Sequence, residues 1–196
     1  CSFGIACEAP SLVWRSAKRR IAFVNHNMPH IPRSEKIPLD QVDLAVEIDA
    51  PLLSPAPPAP RSAILEAIAR NAAGLVPDGA VIQSGIGEAP GAVIAGLRDH
   101  RRLRVYSGLI TADYRQLANA GALDMDADHL TGIAWGEPDF YRWLETPGLF
   151  SFRSVLETHG HDRLAALPRF ISIGSALEVD LAGDINLEWR GARRVS

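Results

Sequence analysis

The sequence predicts an α/β fold built on a mostly parallel sheet with flanking helices. Apolar strand-like runs and amphipathic helical segments alternate between residues 62 and 167. That alternation is the signature of parallel strands joined by crossover helices. Three strand-like runs then follow in succession at residues 170–173, 177–181 and 185–189, which predicts an antiparallel part at the end of the chain. No internal repeat interrupts this order.

The elements read as follows. Residues 12–20 suit a short helix with a basic end, and residues 21–25 (IAFVN) and 42–48 suit two buried strands. These are too few to enclose a core, since an independent domain below ~40–60 residues is marginal. Residues 1–53 therefore need partner strands from elsewhere. Residues 54–60, SPAPPAP, favour a stiff, extended polyproline segment that cannot enter a helix or a central strand. We read them as a linker between a domain ending at residue 53 and a second domain over residues 61–196.

Past the linker, Ile64, Leu65, Ile68, Ala69 and Ala72 recur at helical spacing over residues 62–75. A Pro77-Asp78-Gly79 turn introduces a strand at 80–83. A helix at 90–97 carries Pro at its first position, a strand covers 103–106, and a helix over 112–120 stops at Gly121. Strand 130–135, helix 138–144, strand 149–153 and a short helix at 161–167 complete the alternating region.

Bulk properties narrow the function. Charged residues are 22% of the chain, hydrophobic residues 47%, and the formal net charge is −3. Nucleic-acid binding needs a dense basic face, so it is not an expected partner. No apolar run reaches the ~20 residues of a membrane span, and no signal peptide is visible, so cytoplasm is the default location. Cys1 and Cys7 make neither a disulfide framework nor a zinc site. His159 and His161 have no acid–histidine spacing of a zinc site around them, so no metal is expected.

The site candidates come from two turns. Gly85-Ile86-Gly87 follows a strand and precedes a helix. Glycines admit a ligand close to the backbone, and a helix start presents free N–H groups to a carbonyl oxygen, carboxylate or phosphate. It is not a dinucleotide fingerprint, because residue 90 is Pro, and a phosphate-loop lysine is missing. Glu88 is either a nucleophilic carboxylate or a favourable charge in a first helical turn. His100, Arg101, Arg102 and Arg104 read as a solvated loop that meets ligand phosphates only as a second choice; Trp135, Phe140, Tyr141 and Trp143 read as core and helix-face aromatics. Glu178 and Asp180 share one face of a strand, a surface pattern.

Four segments together carry a resemblance. They are NHNMP at 25–29, QSGIGEAP at 83–90, the stretch from Tyr106 to Leu123, and SALEVDLAG at 175–183. In this order and spacing the chain resembles the acetyl-CoA hydrolase/transferase family, which includes the 4-hydroxybutyrate coenzyme A transferases. The resemblance covers nearly all of the chain. It implies a CoA-transferase fold of two related domains, both incomplete here, with the active site between them. CSFG at residues 1–4 is similar to a segment well inside the family's first domain, so we expect Cys1 to be an internal position. Arg193 and Arg194 precede the place of the family's GGQ-type segment. We therefore expect this chain alone not to be a complete enzyme.

The resemblance implies acyl-CoA and a small carboxylic acid as substrates, with no metal, in a homodimer or larger assembly. A glutamate carboxylate attacks the thioester, exchanges the acyl group for CoA and becomes a glutamyl–CoA thioester, from which the incoming acid takes the CoA. Gly85, Ile86, Gly87, Ser107 and Gly108 take the thioester-site positions. At the glutamate's own position stands Gly108, which supplies no nucleophile. Three explanations follow: an acid from elsewhere, either Glu88 or a residue preceding Cys1; hydrolysis with water; or a non-catalytic relative that binds CoA esters or serves assembly only.

Overall fold

The computed structural model describes residues 1–55, 60–146, 148–191 and 193–194. The middle of the predicted linker, residues 56–59, thus lies outside the described residues. The first part holds helix α1 (Pro10–Ser16) and strands β1 (Ile21–Asn25) and β2 (Leu44–Ile48). The alternating region follows as α2 (Ala63–Ala73), β3 (Val81–Ser84), α3 (Glu88–Gly96), β4 (Arg104–Ile110), α4 (Ala112–Asn119), β5 (His129–Ala134), α5 (Pro138–Glu145), β6 (Phe150–Phe152), α6 (Val155–Thr158), α7 (His161–Ala165) and β7 (Phe170–Ile173). Four two-residue strands close the chain: β8 (Glu178–Val179), β9 (Ile185–Asn186), β10 (Trp189–Arg190) and β11 (Arg193–Arg194).

The central sheet has five strands in the order β6-β5-β4-β3-β7, and every pairing in it is parallel. The mostly parallel α/β fold read from the sequence is therefore the fold of the chain. β3 is flanked by β4 on one side and β7 on the other, although β7 comes last in the chain. β3 is thus where the winding of the sheet changes direction.

Local chemistry accounts for the element ends. The Ser62 hydroxyl accepts the Leu65 N–H at 3.2 Å and caps α2, which lays Ala69 and Ala73 against α3. Pro138 opens α5, where its missing N–H costs nothing. The core joins the inner faces of the sheet, with Ile82, Val105 and Ile110, to Ile94, Leu97, Tyr114, Leu117 and Phe140 of the helical layer. Ile5, Cys7 and Ile31 from the first part belong to that same core.

Several boundaries differ from the sequence reading. Helix α3 begins at Glu88 rather than Pro90, because Gly87 at φ +135° ends the extended backbone and proline is tolerated anywhere in a first turn. Strand β4 continues to Ile110, so Gly108 lies inside a strand, not in a turn after one. Helix α6 fills a stretch to which the sequence reading assigns no element. β1 and β2 pair in parallel by themselves, and Ile21, Phe23 and Leu44 are exposed rather than buried, because two strands cannot cover both of their faces. The predicted antiparallel part is confined to β8–β9 and β10–β11, while β7 joins the parallel sheet. No helix among the described residues is long and apolar enough to cross a membrane.

Candidate functional site

The site is built where β3 and β4 separate. Their register pairs Val81 with Arg104 and Ile82 with Val105. Continuing it sets Ser84 beside Ser107 and Gly85 beside Gly108. There the Ser84 N–H donates to Ser107 Oγ at 3.2 Å instead of to a backbone carbonyl. Ser107 Oγ also donates to the Leu109 carbonyl at 2.9 Å, and Ser84 Oγ shares a 2.7 Å bond with the buried Tyr114 hydroxyl. Burial pushes the Tyr114 phenol up to about 12, with the Ser84 contact acting the other way. Side chains thus replace the ladder at this point, and the end of β3 parts from β4, which continues beside β5 to Ile110.

Beyond Ser84 the chain turns through Gly85, Ile86 and Gly87 into α3. The Gly85 N–H donates to the Ile173 carbonyl of β7 at 2.8 Å. Gly87 needs a positive φ that other residues rarely adopt. The N–H groups of Ile86, Gly87, Glu88 and Ala89 find no acceptor among the described residues. Ile86 and Glu88 are exposed. The turn therefore offers a row of free donors at the positive end of a nine-residue helix.

Side chains alternate along β4, so Ser107 and Gly108 face opposite sides of the sheet. Gly108 faces the side covered by α6 and by residues 5–8. There Gly108 and Gly132 are neighbours, since Ser107 pairs with Thr131 and Leu109 with Ile133. The two glycines form a notch. The N–H groups of Cys7 and Glu8 both donate to the Gly132 carbonyl, at 2.9 and 3.2 Å. The Glu8 carbonyl accepts the Val155 N–H of α6 at 3.1 Å.

The notch is filled by Glu8 and His159. A Cβ on Gly132 would lie 2.8 Å from Glu8 Cβ, so only glycine lets the Glu8 stem cross β5. A Cβ on Gly108 would overlap His159 Cε1 and would stand 2.8 Å from Glu8 Oε1 and 2.9 Å from His159 Nε2. His159 Nδ1 lies 3.4 Å from Glu8 Oε1 and 2.9 Å from Thr158 Oγ1. The Glu8 side chain is 21% exposed and that of His159 45%, so the imidazole is the outer member of the pair.

Three comparisons bear on what this site belongs to. No family model matches the chain. It is 30% identical over 202 residues to a 4-hydroxybutyrate coenzyme A transferase of Clostridium kluyveri, a match covering 100% of this chain and 47% of that protein. It is 27% identical over 206 residues to a butyryl-CoA:acetate CoA-transferase of Anaerostipes caccae, covering 100% of this chain and 46% of that protein. Among solved structures, RipA from Yersinia pestis superposes with a TM-score of 0.86 at 27% identity, over 95% of this chain and 45% of that one. A 4-hydroxybutyrate CoA-transferase from Porphyromonas gingivalis gives 0.86 at 26% identity, over 94% of this chain and 49% of that one. The chain is CoA-transferase-like. It spans about half the length of the curated relatives it matches.

In this CoA-transferase-like chain the residues singled out from sequence fall into two groups. Gly85, Ile86, Gly87, Ser107 and Gly108 come together at the parting of β3 and β4. Glu88 stands in the first turn of α3, with no ion pair or side-chain hydrogen bond among the described residues. The acid that closes over Gly108 is Glu8, which sequence reasoning passed over, and its partner is His159, which that reasoning treated as a surface residue. The cluster of His100, Arg101, Arg102 and Arg104 sits at the amino end of β4, the opposite end from the turn. Asp180 Oδ1 accepts the Ala182 and Asp184 N–H groups and so serves its own turn. No group of three or more metal-ligating side chains occurs among the described residues.

Proposed function

We propose that this chain carries the thioester-binding part of a protein that moves coenzyme A between an acyl-CoA and a small carboxylic acid, or hydrolyses the acyl-CoA. The row of free N–H groups at Ile86–Ala89, beside Gly108, carries the reading. It lies beyond the carboxyl end of β3, where the sheet changes winding direction, and ligands of parallel α/β sheets gather at such points. Donors placed there suit a thioester carbonyl, whose oxygen gains charge as a nucleophile adds to it. The relatives named as CoA transferases support CoA transfer as the class of reaction.

The covalent route needs a carboxylate nucleophile. Glu88 is one candidate, kept ionised by the helix start. Glu8, which stands over Gly108, is the other. The filling of the Gly108 face by two side chains also supports a second reading, in which CoA esters bind without transfer. Assembly into a homo-oligomer in the cytoplasm belongs to the same proposal, and the exposed apolar residues Ile21, Phe23 and Leu44 support a partner surface.

The test uses the whole polypeptide that carries this sequence. It is incubated with acetyl-CoA and radiolabelled propionate, and the CoA thioesters are separated. Transfer predicts labelled propionyl-CoA. Release of CoA thiol without labelled propionyl-CoA gives the hydrolytic form of the same reading. Binding of an acetyl-CoA thioether with neither product favours the second reading, and neither binding nor product overturns both.

A further inference from the structure

We infer that Glu8 and His159 form a general-base pair that activates water for hydrolysis of the bound thioester. The inference rests on the acyl-CoA reading of the site and adds to its hydrolytic branch the residues that carry it.

Two oxygens facing Nδ1 are the basis on which we assign the imidazole's tautomer. The Thr158 hydroxyl has the Ser154 carbonyl within reach as an acceptor, 3.4 Å away. Its oxygen is then free to accept from His159 Nδ1 at 2.9 Å. The Glu8 carboxylate, 3.4 Å from the same nitrogen, also favours a proton there. Nδ1 thus carries the hydrogen and Nε2 the lone pair. Nε2 has no partner among the described residues, and the ring is nearly half exposed. An unbonded ring nitrogen is left beside Gly108, the strand residue that neighbours the Gly85 turn, 2.9 Å from where a Cβ at that position would stand.

The pair is held before any ligand arrives. Glu8 is tied through its backbone to Gly132 on one side and to Val155 of α6 on the other. The His159 N–H donates to the Val155 carbonyl at 2.8 Å. The glycine notch gives the two side chains the space that a Cβ at 108 or 132 would take. Such fixed placement is what makes a general base effective.

The step balances without a redox partner. A water oxygen bonds to the thioester carbonyl carbon while Nε2 takes a water proton. The carbonyl electrons move onto oxygen, for which the free N–H groups of the turn are available donors. They return as the carbon–sulfur bond breaks, and the departing CoA sulfur takes the proton from Nε2. The products are a carboxylic acid and the CoA thiol. His159 acts on the water, while Glu8 is a positioning residue.

The test follows CoA thiol release from acetyl-CoA by the whole polypeptide with no carboxylic acid added, and includes one turnover in ¹⁸O-water. The pair predicts ¹⁸O in the acetate of the first turnover. His159→Gln should lower kcat by ~100-fold or more with little change in KM, as expected for loss of a general base. Imidazole should partly restore His159→Ala, and Glu8→Asp should retain more kcat than Glu8→Gln. Unlabelled first-turnover acetate, with ¹⁸O found in Glu8 or Glu88, identifies a carboxylate nucleophile and overturns the pair. So does release unaffected by His159→Gln. Thioether binding with no His159-dependent release overturns the pair alone, whereas failure of the thioether to bind overturns the acyl-CoA reading with it.

Discussion

The carboxylate of Glu8 lies 3.4 Å from the imidazole Nδ1 of His159, and the two meet over Gly108, although 151 residues separate them in the chain. The meeting depends on two adjacent glycines. Any side chain at 108 or 132 would occupy the space that the pair now fills.

Gly108→Ala tests that dependence. The atoms its Cβ would meet are side-chain ends, which can swing away. We expect a folded protein, destabilised by about 1–3 kcal/mol, as measured by urea unfolding. His159 should be displaced, with a changed imidazole chemical shift and CoA thiol release reduced more than tenfold. A variant with an unaltered His159 environment would show that the notch is not tight.

The two thiols should differ sharply. Cys1 is exposed, whereas Cys7 is fully buried. Burial and the nearby Glu35 carboxylate push the Cys7 thiol up to about 12. Only thiolates react readily with disulfide reagents. The native chain should therefore react at Cys1 within minutes and at Cys7 only on unfolding. Equal fast labelling of both would contradict the docking of residues 5–8 on β5.

His129 should make stability depend on pH. It is fully buried, its Nδ1 accepts the Val105 N–H at 2.9 Å, and its Nε2 donates to the Asp124 carbonyl at 2.8 Å. Desolvation holds its pKa below the ordinary 6.5. Below that unfolded value the unfolded state binds more protons than the folded one, so stability is full above it and falls as pH drops toward the folded value. One such proton contributes up to about 1.4 kcal/mol per pH unit. Unfolding of wild type and His129→Gln from pH 7.5 to 5 should show a steeper loss in wild type. Parallel curves would exclude a titrating His129.

Tyr114→Phe should cost about 1 kcal/mol, because it removes a buried hydroxyl bonded to Ser84. Ser84→Ala should cost a similar amount. The double variant should cost less than the sum, since both lose the same bond. Strict additivity would mean that the two hydroxyls are not coupled at the parting of β3 and β4.

The sheet was legible in the sequence because each crossover unit carries its own local signals: the helical spacing of Ile64, Leu65 and Ile68, the Pro77-Asp78-Gly79 turn, the Gly121 stop. The Gly85–Gly87 turn was legible for the same reason, as glycines between a strand and a helix. The Glu8–His159 pair was not. Glu8 lies in a short irregular segment, and His159 follows a four-residue helix that periodicity does not reveal. The one signal available was negative: Gly108 and Gly132 at similar places in two neighbouring strands mark a close approach by some other part of the chain. Nothing local says which part. Pro90 misled in another way, since it fits the first, second or third position of a helix equally well, and the positive φ of Gly87 decided among them.

The central claim is that the Gly85–Ala89 turn holds an acyl-CoA thioester beside the Glu8–His159 pair that fills the Gly108 notch. Amide hydrogen exchange on the whole polypeptide, with and without an acetyl-CoA thioether, tests it most directly. The N–H groups of Ile86, Gly87, Glu88 and Ala89 are unbonded here, so a bound carbonyl should slow their exchange, and the His159 imidazole resonance should shift in the same titration. Protection elsewhere, with these four amides and His159 unchanged, would contradict the account.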